Sequence, residues 1–226
     1  MGVPSDLNDL VATVGPARDG VLAEMDRRAE QSEFPTVGPA AGGWLRQFAG
    51  LVGAERVFEF GSGFGYSAYW FLGGMADGGE VVLTELDEAK LDDAREYLER
   101  GGYTERAWFE RGDAVEIVDA YDGPFDVAFI DNEKRRYVEA FEAVRSKVPV
   151  GGVIVADNTI EGPFAFETLR RLVADGSDSL PDTGDPHTDA ARGVAAYLDH
   201  VGSLEAFETT LVPVGEGLAV SRRIEV

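Results

Sequence analysis

The sequence predicts an α/β fold: a mostly parallel sheet, helices on both of its faces, and an antiparallel hairpin near the C-terminal end. Three observations carry this. Short runs rich in Val, Ile and Phe occur at 56–60, 80–84, 127–130 and 153–156, without the strict alternation of a half-exposed strand. Such runs suit strands covered on both faces. Helix-like stretches separate them, and a strand, helix and strand within about 30 residues implies a right-handed parallel crossover. Finally, 208–214 and 218–222, joined by Gly215-Glu216-Gly217, read as a hairpin.

From the N-terminus, Leu7, Leu10, Val11 and Val14 fall on the spacing of an amphipathic helix over 5–14, ended by Gly15-Pro16. A second helix is expected over 17–32, with Val21, Leu22, Met25 and Ala29 inward. Phe34-Pro35 breaks the chain, and Gly38-Pro39 restarts it with Pro in the first turn. Trp44, Leu45 and Phe48 form a third stripe, despite the weakening Gly42-Gly43. Core or dimer packing is the expected use of all three stripes, with a lid over an active site as the alternative.

The run 56–60 feeds Gly61-Ser62-Gly63-Phe64-Gly65-Tyr66-Ser67 and then a short helix through Leu72. Glycines let a backbone approach a ligand, and the helix N-terminus faces its anionic group. This is a nucleotide-binding geometry, but Tyr66 stands where a dinucleotide fingerprint wants its third small residue. Glu59, inside the strand, is costly to bury without a donor and is expected to bond a ligand or the turn. The next strand ends at Glu85, an acid placed about 20 residues past the glycines, as suits two ribose hydroxyls. Asp87 caps a helix that runs to Arg100. A third strand is expected over 108–111. The corner Gly112-Asp113-Ala114 follows at the same sheet edge, where it can border an adenine or serve as turn chemistry alone.

The stretch Phe125 to Asn158 organises the rest. Its two strands, 127–130 and 153–156, end in Asp131 and Asp157, and a helix is expected between them over 133–147. Parallel strands finish at one edge of the sheet, so Asp131, Asp157 and Asn158 are expected to meet there, outside the carboxyl ends where ligands bind. Two carboxylates and an amide oxygen make a hard, oxygen-only pocket of the kind Mg²⁺ accepts. Lys134 is expected to overhang it. Residues 159–164 can wall the pocket, 164–173 look helical, 175–189 read as a surface loop carrying a spectator His187, and 190–200 return to helix.

Composition sets the odds on these motifs. The chain has 226 residues, 42 acids against 20 Lys and Arg, a net charge of −22 and no cysteine. A single domain is expected, with 1–36 as a lid or dimer element. Disulfides and thiolate metal sites are excluded. No apolar run approaches a membrane span, and the N-terminus lacks the regions of a signal peptide, so a cytoplasmic, soluble protein is expected. The acid excess reads as adaptation to high salt, and it argues against nucleic acid as a partner. With so many acids, an Asp at a strand end is cheap. Lysine and asparagine are scarce, so Lys134 and Asn158 beside those acids carry more information.

The assembled motifs VFEFGSGFGYSA, TELDEAK, GDAVEIV, FIDNEKRRY, GGVIVADN and a terminal VSRRI resemble the cation-dependent O-methyltransferases, a family that includes catechol and caffeoyl-CoA O-methyltransferases. The resemblance spans 37–223 and implies the Rossmann-like S-adenosylmethionine methyltransferase fold, a seven-stranded sheet with a reversed last strand. It implies that Asp131, Asp157 and Asn158 hold Mg²⁺ or another divalent cation, and that Lys134 is the general base, with Asp131 beside it in the catalytic group. It implies S-adenosylmethionine as cofactor, bound through Glu59, Gly61, Gly63, Gly65, Ser67, Glu85, Asp113, Ala114 and Asp131. A homodimer and a small acceptor with two adjacent hydroxyls complete the expectation. Phe164 stands near where many plant-type members carry Trp, and 174–190 has no alignable counterpart; both departures bear on the acceptor. Three alternatives stay open at this point: methylation of a hydroxylated tRNA base, a nicotinamide dehydrogenase, and a non-catalytic cofactor-binding protein.

Overall fold

The expected apolar runs become strands β1 (Arg56–Phe60), β2 (Glu80–Glu85), β3 (Ala107–Arg111), β4 (Val127–Ile130) and β5 (Val153–Ala156), and the hairpin becomes β6 (Phe207–Val212) and β7 (Leu218–Arg223). The computed structural model describes residues 4–176, 180 and 184–225. Among these the strands form one seven-stranded sheet in the order β3-β2-β1-β4-β5-β7-β6, parallel except for β7, which runs against both of its neighbours. The order reverses between β1 and β4, so their carboxyl ends frame the crevice where ligands bind in open α/β sheets.

Period-2 alternation separates two cores. Val57, Val127, Phe129, Val153 and Val155 face one side, which is covered by α2 (Gly20–Ser32), α3 (Gly38–Val52), α4 (Tyr66–Gly74) and α5 (Glu88–Arg100). Phe58, Phe60, Ala128, Ile130, Ile154 and Ala156 face the other, covered by α6 (Ala114–Val118), α7 (Tyr137–Arg145), α8 (Phe166–Asp175) and α9 (Pro186–Gly202). The central strands β4 and β5 are buried at every residue, which is why their sequences do not alternate. Gly42 is no defect in α3: a Cβ there would lie 2.2 Å from the Trp70 indole nitrogen, so only glycine lets α3 and α4 pack this closely.

Several boundaries differ from expectation. The helix expected over 133–147 splits into a 3₁₀ turn, Lys134–Arg136, and α7. The five-residue α6 follows directly on Asp113, whose side chain accepts from Val115 N at 2.9 Å; the turn chemistry of Asp113 is therefore that of a helix cap. The loop expected over 175–189 is shorter, because α9 begins at Pro186, capped by Asp185 through Thr188 N at 3.0 Å. Residues 177–179 and 181–183 of that expected loop lie outside the described residues. His187 therefore sits in the first turn of α9, where its Nδ1 meets the Pro163 carbonyl instead of standing without a partner.

The first apolar stripe stays mostly outside the core, with only Val11 packed against it. None of the residues of α1 (Ser5–Val14) is buried, and Leu10 and Val14 are 60% and 79% exposed. The stripes of α2 and α3 do enter the core, apart from Trp44, which is 37% exposed. Among the described residues no helix is long and apolar enough to cross a membrane.

Candidate active site

A cavity of about 640 Å³ opens over the carboxyl ends of β1, β4 and β5. One wall is the glycine turn after β1. Gly61, Gly63 and Gly65 all have positive φ, and the turn is pinned by Ser62 N donating to Thr84 O at 2.9 Å and Gly65 N to Ser62 O at 2.9 Å. At Gly61 the constraint is also steric: a Cβ would stand 2.9 Å from the Asp131 carbonyl oxygen. Only glycine lets the end of β1 lie against the end of β4 at the switch point. Gly61, Gly63 and Ser67 border the cavity, whereas Gly65 caps α4 and packs on Ala94 of α5.

Glu85 also borders the cavity. Its carboxylate accepts from Gly63 N at 3.1 Å, Leu86 N at 2.8 Å and Asp87 N at 3.1 Å, so it stands at the tip of β2 facing the glycine turn. A smaller adjoining cavity, about 210 Å³, lies between Glu85, the Asp113-Ala114 corner and Asp131. Asp113 pairs there with Arg136 at 2.6 Å, and that guanidinium holds its carboxyl below the usual range. Together the two cavities form a trough of the right chemistry for a nucleoside: an acid for ribose, a flat corner for a base, and a glycine turn between them.

Glu59 lies beneath this trough, fully buried on the β1 face that carries Val57. Its two carboxylate oxygens lack a hydrogen-bond partner of good geometry, although the nearby Ser67 hydroxyl favours the charged form. Burial raises its carboxyl to about 8, and the nearby Asp131 charge adds to the rise. Of the two partners expected for Glu59, a ligand or the turn, the turn's backbone gives none among the described residues; Thr84 Oγ1 bonds the backbone carbonyl of Glu59, at 2.6 Å.

The oxygen-bearing triad converges as the parallel topology requires. Asp131 N bonds Phe60 O and Asp157 N bonds Ile130 O, each at 3.0 Å, so the two strand tips are staggered by one strand. Lys134 Nζ donates to Asp131 Oδ1 at 2.9 Å and also to Asn158 Oδ1. A third bond runs to the Tyr137 hydroxyl at 2.6 Å, which in turn donates to Asp157 O at 3.1 Å. Glu133, an alternative partner for this lysine, pairs with Arg135 instead. Asn158 adopts φ +52°, an uncommon conformation for a side-chain-bearing residue, and this turns its amide back toward the lysine.

Electrostatics leave this group short of positive charge. Asp157 is 3% exposed, and its Oδ1 is buried without a partner. Burial, followed by the like charge of Asp131, raises the Asp157 carboxyl to about 8. Burial raises Asp131 as well, against the opposing pull of Lys134. Two carboxylates and an amide oxygen around one ammonium fit a divalent cation: the lysine already sits between two of the three oxygens, and the third has an orphaned atom. Among the described residues no three His, Asp or Glu side chains gather as a ligand set, since the third oxygen here is an amide.

The opposite wall comes from the end of the 1–36 segment expected as a lid or dimer element, at residues the sequence does not single out for a site. Phe34, Pro35, Thr36 and Val37 line the cavity, and Phe34 lies over Gly63, with Lys90 Nζ 4.9 Å from the centre of its ring. Read locally, Phe34-Pro35 was only a helix breaker. Glu216, read as a hairpin residue, also enters the cavity and accepts from Asn158 Nδ2. Gly162 and Pro163 supply the wall expected from 159–164, while Phe164 turns into the core.

A glycine turn at the switch point, an acid at the next strand tip and a reversed terminal hairpin define a Rossmann-like protein that binds a nucleotide cofactor. The chain matches the O-methyltransferase family over residues 17–224 and belongs to it; it is an S-adenosylmethionine-dependent O-methyltransferase. It is 30% identical over 217 residues to a catechol O-methyltransferase of Niastella koreensis, covering 92% of this chain and 91% of that one. It is 25% identical over 225 residues to a caffeoyl-CoA O-methyltransferase of Stellaria longipes, covering 95% and 88%. Among solved structures, the cofactor-bound Rv0187 from MTB superposes with a TM-score of 0.80 at 26% identity, over 100% of both chains.

Proposed function

We propose that this enzyme methylates one hydroxyl of a small, catechol-like acceptor with two adjacent hydroxyls, and that it does so with a divalent cation, Mg²⁺ in the first instance, held by Asp131, Asp157 and Asn158. The observation that carries the reading is the buried, unpartnered Asp157 oxygen beside two further oxygens that already share a cation, the Lys134 ammonium. The names of the relatives from Niastella koreensis and Stellaria longipes point to the same acceptor chemistry.

The residues then divide the work. Gly61, Gly63, Ser67 and Glu85 hold the cofactor, with Glu85 on its ribose and the Asp113-Ala114 corner on its base. Glu59 and Gly65 shape that turn from below. Asp131, which lines the cavity next to Gly61, would face the sulfonium end of such a cofactor, and methyl transfer needs little beyond in-line positioning of the acceptor oxygen. When bound, a divalent cation orients two adjacent acceptor oxygens and makes the attacking hydroxyl more acidic. Lys134, as the neutral amine, takes that hydroxyl's proton at Nζ and becomes the ammonium, and Tyr137 and Asp131 hold that nitrogen in place. Pro163 and the Phe34–Val37 segment exclude water.

We extend the reading to a homodimer. The exposed face of α1 presents Leu7, Leu10 and Val14 beside Trp44 of α3, and a second copy would cover it.

The test is turnover of a catechol panel. Activity should vanish with chelator and return with Mg²⁺. It should collapse in Lys134→Ala and Asp157→Ala while cofactor binding survives. Undiminished turnover in chelator would refute the cation, and failure of every vicinal-hydroxyl acceptor would refute the substrate class.

A further inference from the structure

The turn between β6 and β7 does more than close a hairpin. Ile160 N and Glu161 N donate to the Glu216 carbonyl at 3.0 and 2.8 Å, and Thr159 N and Oγ1 both donate to the Gly217 carbonyl at 3.0 Å. Gly217 has φ +94°, and a Cβ there would stand 2.4 to 2.8 Å from Ile160 atoms, so only glycine allows this contact. The loop that leaves Asn158 is thus laced to the hairpin, and Glu216 reaches into the cavity from a fixed base.

Its carboxylate accepts from Asn158 Nδ2, while Asn158 Oδ1 accepts from Lys134 Nζ. The two ends of the amide are therefore distinguished. Turning the amide over would set its NH₂ against an ammonium and its oxygen against a carboxylate, and both contacts are repulsive. Among the described residues, these two contacts alone distinguish the ends of the Asn158 amide.

We propose that Glu216 is a positioning residue for the cation site: it holds Asn158 with the amide oxygen turned toward Asp131 and Asp157, and so sets the affinity for an oxygen-preferring divalent cation. This rests on the cation reading above. Partners that orient a metal ligand from behind typically contribute about 10- to 100-fold in affinity. A carboxylate that acted only through its charge would cost the same affinity when replaced by Gln as by Ala.

The probe is Mn²⁺, titrated into the full chain with S-adenosylhomocysteine present and followed by the electron paramagnetic resonance of the free ion. Glu216→Ala should weaken Mn²⁺ binding about 10- to 100-fold and leave S-adenosylhomocysteine affinity unchanged. Glu216→Gln keeps an acceptor oxygen and should restore most of the loss. In an Asn158→Asp background the ligand has no nitrogen end to orient, so Glu216→Ala should no longer weaken binding. Wild-type Mn²⁺ affinity in Glu216→Ala would overturn the proposal. So would equal losses in the Ala and Gln variants, which would mean that Glu216 acts through charge alone. If wild type bound no Mn²⁺ and Asp157→Ala changed nothing, the cation reading itself would fall, and this inference with it.

Discussion

Replacing Glu59 by Gln tests the electrostatics of the site without touching the cavity surface. Glu59 is fully buried, lacks a good hydrogen-bond donor and has its carboxyl raised from 4.5 to about 8. The folded state therefore holds this proton over a range in which the unfolded chain has released it. Stability from this group is fully present below about 4.5, falls as pH rises, and is lost once pH passes about 8. The span corresponds to a ceiling of roughly 5 kcal/mol. Glutamine cannot ionise, so its contribution is flat, offset by about 1–3 kcal/mol for a buried amide without partners. Chemical denaturation of both proteins at fixed ionic strength, without divalent cations, gives the difference in stability at each pH. Repulsion within a chain of net charge −22, and titration of Asp157, act on both proteins and cancel in that difference. The difference should move in favour of Glu59→Gln by several kcal/mol between pH 4.5 and 8. Parallel curves would refute a neutral, buried Glu59.

Two further outcomes follow from geometry. Gly61→Ala puts a Cβ 2.9 Å from the Asp131 carbonyl in a backbone with φ +86°; the left-handed conformation alone costs about 1–2 kcal/mol. It should lower both thermal stability and S-adenosylmethionine affinity in calorimetry, and wild-type values for both would contradict the switch-point packing. Leu10→Asp puts a charge on the exposed face of α1, where Leu10 is 60% exposed, so it should leave the fold intact and shift sedimentation from dimer to monomer. An unchanged sedimentation coefficient would place any interface elsewhere.

The sequence was most legible where burial dictates composition. Strands covered on both faces must be apolar throughout, so 127–130 and 153–156 stood out, and the acids ending them marked the sheet edge at once. The meeting of Asp131, Asp157 and Asn158 then followed from parallel topology alone. Local signals were present for two elements that went unread. Asp113 before Ala114-Val115 is a helix cap, and Asp185-Pro186 is a cap followed by a first-turn proline. The apolar stripe of α1 shows that one face is greasy but not what that face meets: Val11 alone packs against the core, while Leu7, Leu10 and Val14 stay exposed. Phe34 and Glu216 had no local signal. They enter the cavity because a strap before α3 and a hairpin after β6 fold over strand tips far away in the chain. The buried, unpartnered state of Asp157 was equally invisible, since it depends on every element packed around the site.

We expect one divalent cation to sit among Asp131, Asp157 and Asn158 beside the bound cofactor. Crystals grown with S-adenosylhomocysteine and Mn²⁺ and measured at the manganese edge test it directly. One anomalous peak is expected within coordination distance of all three side chains, with Lys134 Nζ no longer bridging Asp131 and Asn158 but held by Asp131 and Tyr137 alone. No peak there at saturating Mn²⁺, with the lysine still bridging those two oxygens, would contradict it.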